Sequence, residues 1–210
     1  MKLAILGSGK MGGTLASLLS RKGYEVMIGS RDAVATEERF SSLPGIQAGS
    51  YEQAVEYADT IIIATPWQMT LDILSPLGDM KGKMLIDITN PLSADVSSLV
   101  VCSTSSAAEE IAKLKTEAHV VKAFNGINSA NLSRPSFSGE TVQVFYCGDS
   151  EQAKNICSEI IEKLGFAGKD CGALVNARWL ETMAMLWIQL AFVEGYGMDF
   201  SFKMVQASAA

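Results

Sequence analysis

Short apolar runs and amphipathic stretches alternate along this chain from its first residues. KLAILG (2–7) is a continuous apolar run, and the stretch after it, 10–22, puts Leu15, Leu18 and Leu19 on one helical face. YEVMIG reads as a second strand; a charged helix is predicted over 32–40 and a brief strand near Ile46. YEQAVEYAD has a helical pattern, TIIIAT is strongly strand, and Pro66 stands where a helix can begin. MLIDIT, HVVKAF and TVQVFYCG predict further strands. SAAEEIAKLKTEA and EQAKNICSEIIEKLG predict further helices, the second ended by Gly165, and a last long helix is predicted over 173–194. Several strands lack polar alternation, as when helices cover both faces of a sheet. The succession predicts an α/β fold with a doubly wound, mostly parallel sheet. One domain is expected over 1–210, its core in 1–123 and an extension in 124–210 closed by the long apolar C-terminal helix. Residues 126–140, rich in Asn, Ser, Pro and Gly, form the one long loop without a pattern, and loops of that length are often functional. The closing ASAA (207–210) carries none either.

The first strand-to-helix turn carries chemistry. GSGKMG places Gly7, Gly9 and Gly12 in G-x-G-x-x-G spacing, with Ser8, Lys10 and Met11 between them. A strand before the motif and an amphipathic helix after it supply the context that a dinucleotide loop of Rossmann type requires. Glycine permits the tight turn, the close backbone approach to a pyrophosphate, and helix–strand packing. The helix then directs its positive end at the phosphates.

The second strand ends in IGSRD. An NAD site usually places a carboxylate near this point, to accept from the ribose hydroxyls. Here Ser30 and Arg31 stand instead, a hydroxyl and a guanidinium suited to a 2′-phosphate, so NADPH is expected over NADH. Asp32, just past the strand, is expected to cap the next helix. In a doubly wound sheet the ligand lies across the carboxyl ends of the strands. That brings Ala64, Thr65 and Pro66 to the cofactor, with Trp67 as wall or helix anchor. DITNP adds Thr89, Asn90 and Pro91 to the same rim. KAFNGIN adds Phe124 and Asn125, as a flat floor and a polar contact for a nicotinamide and its acceptor ring.

Composition narrows the alternatives. The chain is 48% hydrophobic and 19% charged, ordinary for a soluble globular protein. A net charge of −6 argues against a general nucleic-acid or anionic-membrane surface. The longest apolar stretch, AMLWIQLAFV, is about half the ~20 residues a membrane span needs. No signal-peptide pattern opens the chain, and Cys102, Cys147, Cys157 and Cys171 form no CxxC or Cys/His metal spacing. Reduced, packed thiols in a cytoplasmic protein and no metal site are the expectation.

GSGKMGG, IGSRD, IDITNP, VVKAFNGI and GFAGKDCGALVNARWLE together resemble the NADP oxidoreductases that use a deazaflavin coenzyme. They are equally similar to the oxidoreductase domain of the STEAP metalloreductases. The resemblance covers nearly the whole chain. It implies NADP(H) on the glycine loop, Ser30 and Arg31 on its 2′-phosphate, and a deazaflavin, FMN or FAD acceptor near Phe124 and Asn125. Residues 124–210 would then form the acceptor side. The motifs leave open which acceptor is used, and NSANLSRPSFSGE, where acceptor contacts are expected, matches no pattern.

No general acid is evident, so no catalytic residue is assigned. His119, the single histidine, begins a strand and so belongs at the end of the sheet away from the cofactor, while Lys122 lies within a strand. Ring-to-ring hydride transfer needs no donor at the moment of transfer, and positioning alone can supply ~7–11 kcal/mol of the barrier. The C-terminal helix, with Trp179, Leu180, Met183, Leu186, Trp187 and Leu190, is broad enough for core, acceptor wall or a homodimer surface. Imine and hydroxyacid reductases open on similar glycine motifs, but they need a helical substrate domain for which little chain follows Glu194. A module that senses NADPH without oxidising it is the rival from another class.

Overall fold

A computed structural model describes residues 1–207, so most of the closing ASAA lies outside the described residues. Six parallel strands, β1 (Lys2–Leu6), β2 (Glu25–Gly29), β3 (Ile46–Gly49), β4 (Thr60–Ile63), β5 (Met84–Asp87) and β6 (His119–Lys122), build the sheet. Helices α1 (Lys10–Arg21), α2 (Ala33–Phe40), α3 (Tyr51–Tyr57), α4 (Trp67–Leu74) and α5 (Ala107–Leu114) connect them in turn. The extension opens with a 3-10 turn (Ser129–Asn131) and a hairpin, β7 (Ser136–Phe137) and β8 (Glu140–Thr141). It continues with β9 (Gln143–Gly148), α6 (Glu151–Lys163), β10 (Ala167–Asp170) and α7 (Ala177–Ile188). The spatial order is β10-β9-β6-β5-β4-β1-β2-β3, with β9 antiparallel to β6. Chain order reverses between β1 and β4, so the expected Rossmann-type doubly wound sheet is present and its cleft opens there.

Burial on both faces explains the unbroken apolar strands. Along β1, Leu3 and Ile5 pack with α1 and α6, while Ala4 and Leu6 pack with α3, α5 and α7. Successive side chains point to opposite faces, and every residue of β4 is buried. Asp32 caps α2 as expected, accepting from the Ala35 N–H at 2.9 Å. Ser50 and Gln53 form a reciprocal capping box on α3.

Three segments depart from the pattern reading. Residues 88–106 contain no helix and only one isolated bridge, Leu92 to Leu99, so 126–140 is not the one long irregular loop. Asp95 organises that segment: hydrogen bonds from Ser93 and Ser97 pull its pKa down to about 2. β10 (AGKD) was not expected, because an edge strand with one apolar residue shows no apolar run. The last helix is divided as well: a 3-10 turn (Leu174–Asn176) leads into α7, which ends in a π-helical turn (Gln189–Val193). Leu180, Ala184 and Trp187 face inward, whereas Trp179 is 69% exposed and Leu186 50%. Cys147 and Cys157 are buried, burial pushing the Cys147 thiol up to about 12 and raising that of Cys157, while Cys102 is exposed.

α7 is tied to α5 by a forked ion pair. Arg178 Nε and Nη2 reach the two carboxylate oxygens of Glu109 at 2.8 and 2.6 Å. These bonds lower the Glu109 pKa from its ordinary 4.5, so their contribution is present above that value and fades as pH falls through the folded pKa. Arg178→Met is therefore expected to lower urea stability at pH 7, with the difference from wild type shrinking below pH 4.5. An equal deficit at both pH values would count against this.

Candidate functional site

At the end of β1 the backbone itself closes the turn. Gly7 has φ +116°, and a Cβ there would lie 2.6 Å from the Ala64 carbonyl oxygen on the neighbouring strand's end. A Cβ on Gly12 would meet the Gly7 carbonyl oxygen at 2.1 Å, so α1 can seat against the turn only without one. Gly9 differs: nothing lies within 4 Å of where its Cβ would be, and it borders the large cavity. It precedes α1, whose first turn has no acidic residue and whose end has no side-chain cap. The free N–H groups therefore remain available to an anion.

The cavity has a volume of about 800 Å³ and runs along the carboxyl ends of the strands. Of the expected cofactor residues, Gly7, Ser8, Gly9, Lys10, Met11, Ser30, Arg31, Ala64, Thr65, Pro66 and Asn90 line it. Trp67 is both wall and anchor, bordering the cavity and packing on the core. Gly12 and Pro91 do not line it: Gly12 acts through helix packing, and Pro91 is buried beneath the rim. Phe124 and Asn125 border a second cavity instead.

At the β2 end, Ser30 has partners within its own turn. Its hydroxyl lies 2.9 Å from the Asp32 carbonyl and 2.8 Å from the Thr36 hydroxyl, which itself donates to Asp32. Its hydroxyl is thus partnered inside the turn while Ser30 still lines the cavity. Cations hold that end: Arg31 is exposed on the cavity wall and in no ion pair among the described residues. Arg39, unnoticed in the sequence, lines the same end and donates to the Ser8 carbonyl at 2.7 Å. The signal was available, since Arg39 is the i+4 partner of Ala35 on the helix face that borders the cavity. Tyr51 closes this corner; burial raises its phenol pKa, and nearby Arg31 partly offsets the rise.

At the β5 end, Asn90 Nδ2 donates to the Asn125 carbonyl at 2.8 Å. Asn125 Nδ2 lies 3.1 Å from Asn90 Oδ1 and donates to the Leu180 carbonyl on α7 at 2.9 Å. Behind them sits a charged cluster that sequence reading missed: Lys122 Nζ is 2.8 Å from both Asp87 Oδ2 and Glu181 Oε1, and Lys122 and Asp87 are fully buried. Burial works against the lysine's charge, but Asp87 and Glu181 outweigh it and raise its pKa. Burial, then Asp87, raises the Glu181 pKa against the pull of Lys122. Glu181 also accepts from the Ala107 N–H at 3.0 Å, at the positive end of α5. Each member interrupts an apolar run (LIDI, VVKAF, WLETM), a pattern that itself signals buried pairing.

The second cavity, about 260 Å³, meets the first at Met11, Ile88 and Asn90. Ala184, Trp187 and Phe192 supply its far wall. Phe124, expected as a flat floor, lines this cavity but is only 1% exposed, and its ring packs edge-on against Phe166 at 6.3 Å. Its φ of +57° is rare for a bulky residue and marks the tight exit from β6. Exposed His119 begins β6 at the opposite end of that strand.

Comparison with known proteins bears on this arrangement. Residues 2–91 match the family model described as NADP oxidoreductase coenzyme F420-dependent. The F420-dependent NADP reductase of Methanothermobacter marburgensis is 32% identical over 208 residues, covering 90% of this chain and 92% of that protein. The chain belongs to the F420-dependent NADP oxidoreductase family. It is an NADP-dependent oxidoreductase fold throughout: a structure described as an F420-dependent NADP reductase of Arthrobacter sp. FB24 superposes with a TM-score of 0.91 at 29% identity, covering 98% of this chain and all of that one. The family likeness extends to Metalloreductase STEAP3 of Rattus norvegicus, 34% identical over 88% of this chain, which spans 36% of that protein. An imine reductase of Streptomyces aurantiacus, 16% identical with a TM-score of 0.69, shares the fold alone.

Two glycines of this family member separate folding from binding. Gly9→Ala is expected to fold with wild-type thermal stability yet lose dinucleotide binding, because its methyl enters open cavity space. Gly12→Ala is expected to lower the melting temperature itself, since backbone must move. Calorimetry with dinucleotide titration checks both; a stable, non-binding Gly12→Ala would contradict the packing role.

Proposed function

We propose that NADPH occupies the large cavity and that a deazaflavin of the F420 type occupies the second, hydride passing between them where the cavities meet. The observation that carries this reading is the shared border of Met11, Ile88 and Asn90. Arg31 and Arg39 are suited to a 2′-phosphate, the free end of α1 to the pyrophosphate, and the small residues Ala64 and Thr65 to close passage over the strand ends. When bound, the nicotinamide supplies the hydride and the acceptor ring the electron sink. The protein's part is orientation and exclusion of water. Asn90 is held by Asn125 at the border, while Trp187 and Phe192 make the acceptor wall apolar. No side chain at the border is placed as a proton donor, which suits transfer between rings.

A cytoplasmic setting and a homodimer belong to the same proposal. Exposed Trp179, Leu186 and Phe192 support the second, and no helix among the described residues is long and apolar enough to cross a membrane.

The test is NADPH oxidation measured with F420, FMN, FAD and Fe(III) chelates. Turnover with F420 is expected. Turnover with flavin or ferric chelate alone would replace the acceptor with the kind suggested by the metalloreductase likeness, and tight binding with no turnover would leave a sensing module. Arg31→Ala and Arg39→Ala are each expected to weaken NADPH roughly 10–100-fold, the size of lost charge-assisted hydrogen bonds, with NADH little changed. Equal losses for both dinucleotides would remove the 2′-phosphate assignment.

A further inference from the structure

Hydride transfer as described uses neither Asp87, Lys122 nor Glu181, and none of them lines either cavity. They stand directly behind the rim, however, and both backbone polar atoms of Thr89 end on them. The Thr89 N–H donates to Asp87 Oδ1 at 2.8 Å, and its carbonyl accepts from Lys122 Nζ. Lys122 therefore spends its three N–H donors on Asp87, Glu181 and the Thr89 backbone. With that backbone held, Thr89 is one of the residues that line the large cavity. The residue is only 5% exposed, and its hydroxyl has no hydrogen-bond partner within the protein. A buried, unpaired hydroxyl is destabilising. Because Oγ1 itself has almost no accessible surface, a turn of the Thr89 side chain is what lets a ligand in the cavity take its hydrogen bond. α7 braces the rim from the other side, through Leu180 to Asn125 and Glu181 to Lys122, two consecutive residues acting on one loop.

The position of Thr89 decides which part of a ligand it meets. The order β2-β1-β4-β5 puts the end of β5 three strands from the end of β2, where Arg31 lies, or roughly 14 Å at the usual strand spacing. Thr89 is thus at the end of the site remote from the 2′-phosphate corner.

We propose that Lys122 is a positioning residue: clamped between Asp87 and Glu181, it sets the Thr89 backbone so that the Thr89 hydroxyl bonds the nicotinamide–ribose half of NADPH. This rests on the dinucleotide reading above. A plain cross-tie between α7 and the sheet would need only the ion pairs. It would require neither the third hydrogen bond to the Thr89 carbonyl nor a buried hydroxyl left unpaired on a residue that lines the cavity.

The experiment compares calorimetric binding of NADPH with that of 2′,5′-ADP, which carries the adenosine and 2′-phosphate but no nicotinamide. The proteins are wild type, Thr89→Val, Thr89→Ser and Lys122→Met. Because two carboxylates face each other once Lys122 is gone, an uncharged form combining Lys122→Met, Asp87→Asn and Glu181→Gln is measured alongside. NADPH affinity is expected to fall roughly tenfold in Thr89→Val and in each folded lysine variant, the size of one net hydrogen bond, with 2′,5′-ADP affinity unchanged and Thr89→Ser like wild type. The proposal is overturned if the lysine variants lose affinity for both probes alike, or for neither. If no lysine variant folds, Thr89→Val decides: NADPH affinity equal to wild type overturns the proposal, and a loss confined to NADPH upholds it. Wild-type protein that binds neither probe overturns the dinucleotide reading itself, whereas normal wild-type binding with unchanged variants overturns only the role of Lys122.

Discussion

The site depends on one steric constraint: at the point where strand order reverses, backbone packs on backbone with no side chain between. The Gly7 carbonyl has the α1 backbone at Gly12 on one side, and Gly7 itself abuts the Ala64 carbonyl on the other. That contact brings the start of α1 over the ends of β1 and β4, and it is what leaves room for a cleft along the strand ends. A single methyl at either position would push helix from sheet, and every wall of the cavity would shift with it. Close packing of interiors makes such a shift costly, because there is little free volume to absorb it.

Electrostatics divides the cleft into unlike ends. The chain as a whole is acidic, at −6, yet the β2 end presents Arg31 and Arg39 to the cavity. The β5 end keeps its charges out of the cavity and inside the protein, where Lys122 balances two carboxylates only in part. The remaining negative charge is met by the amide end of α5 through Glu181. Breaking such a buried pair by removing one partner costs about 3–5 kcal/mol in other proteins, because it leaves the other charge buried and uncompensated.

Much of this was legible in the residues. The alternation of apolar runs and amphipathic helices specified the sheet, and the glycine spacing specified where its cleft would open. Arg31 could be read because it replaces a carboxylate at a position where ligand chemistry is restrictive. Ser30 could not be read fully: whether its proton is free depends on Thr36 and the Asp32 carbonyl, a contact set by the turn between β2 and α2. The burial of the Phe124 ring could not be read either, since its positive φ accompanies a ring packed onto Phe166, and a strand pattern says nothing of the torsion just past its end. Arg39 and the Lys122 cluster left local signals, a helical i+4 spacing and charges inside apolar runs, but those signals do not name partners that lie 31 to 74 residues away. β10 stayed hidden because its neighbour β9, and not its own side chains, makes it a strand.

α7 touches both halves of the molecule's business. Its Leu180 carbonyl and Glu181 carboxylate anchor the rim of the dinucleotide cleft, and one to two turns further on Ala184 and Trp187 wall the second cavity. A stiff rod fixed at two places cannot tilt at one without moving at the other. Any movement of α7 on filling one compartment would be felt at the other, and linkage would make that effect reciprocal, each occupant altering the other's grip by the same factor.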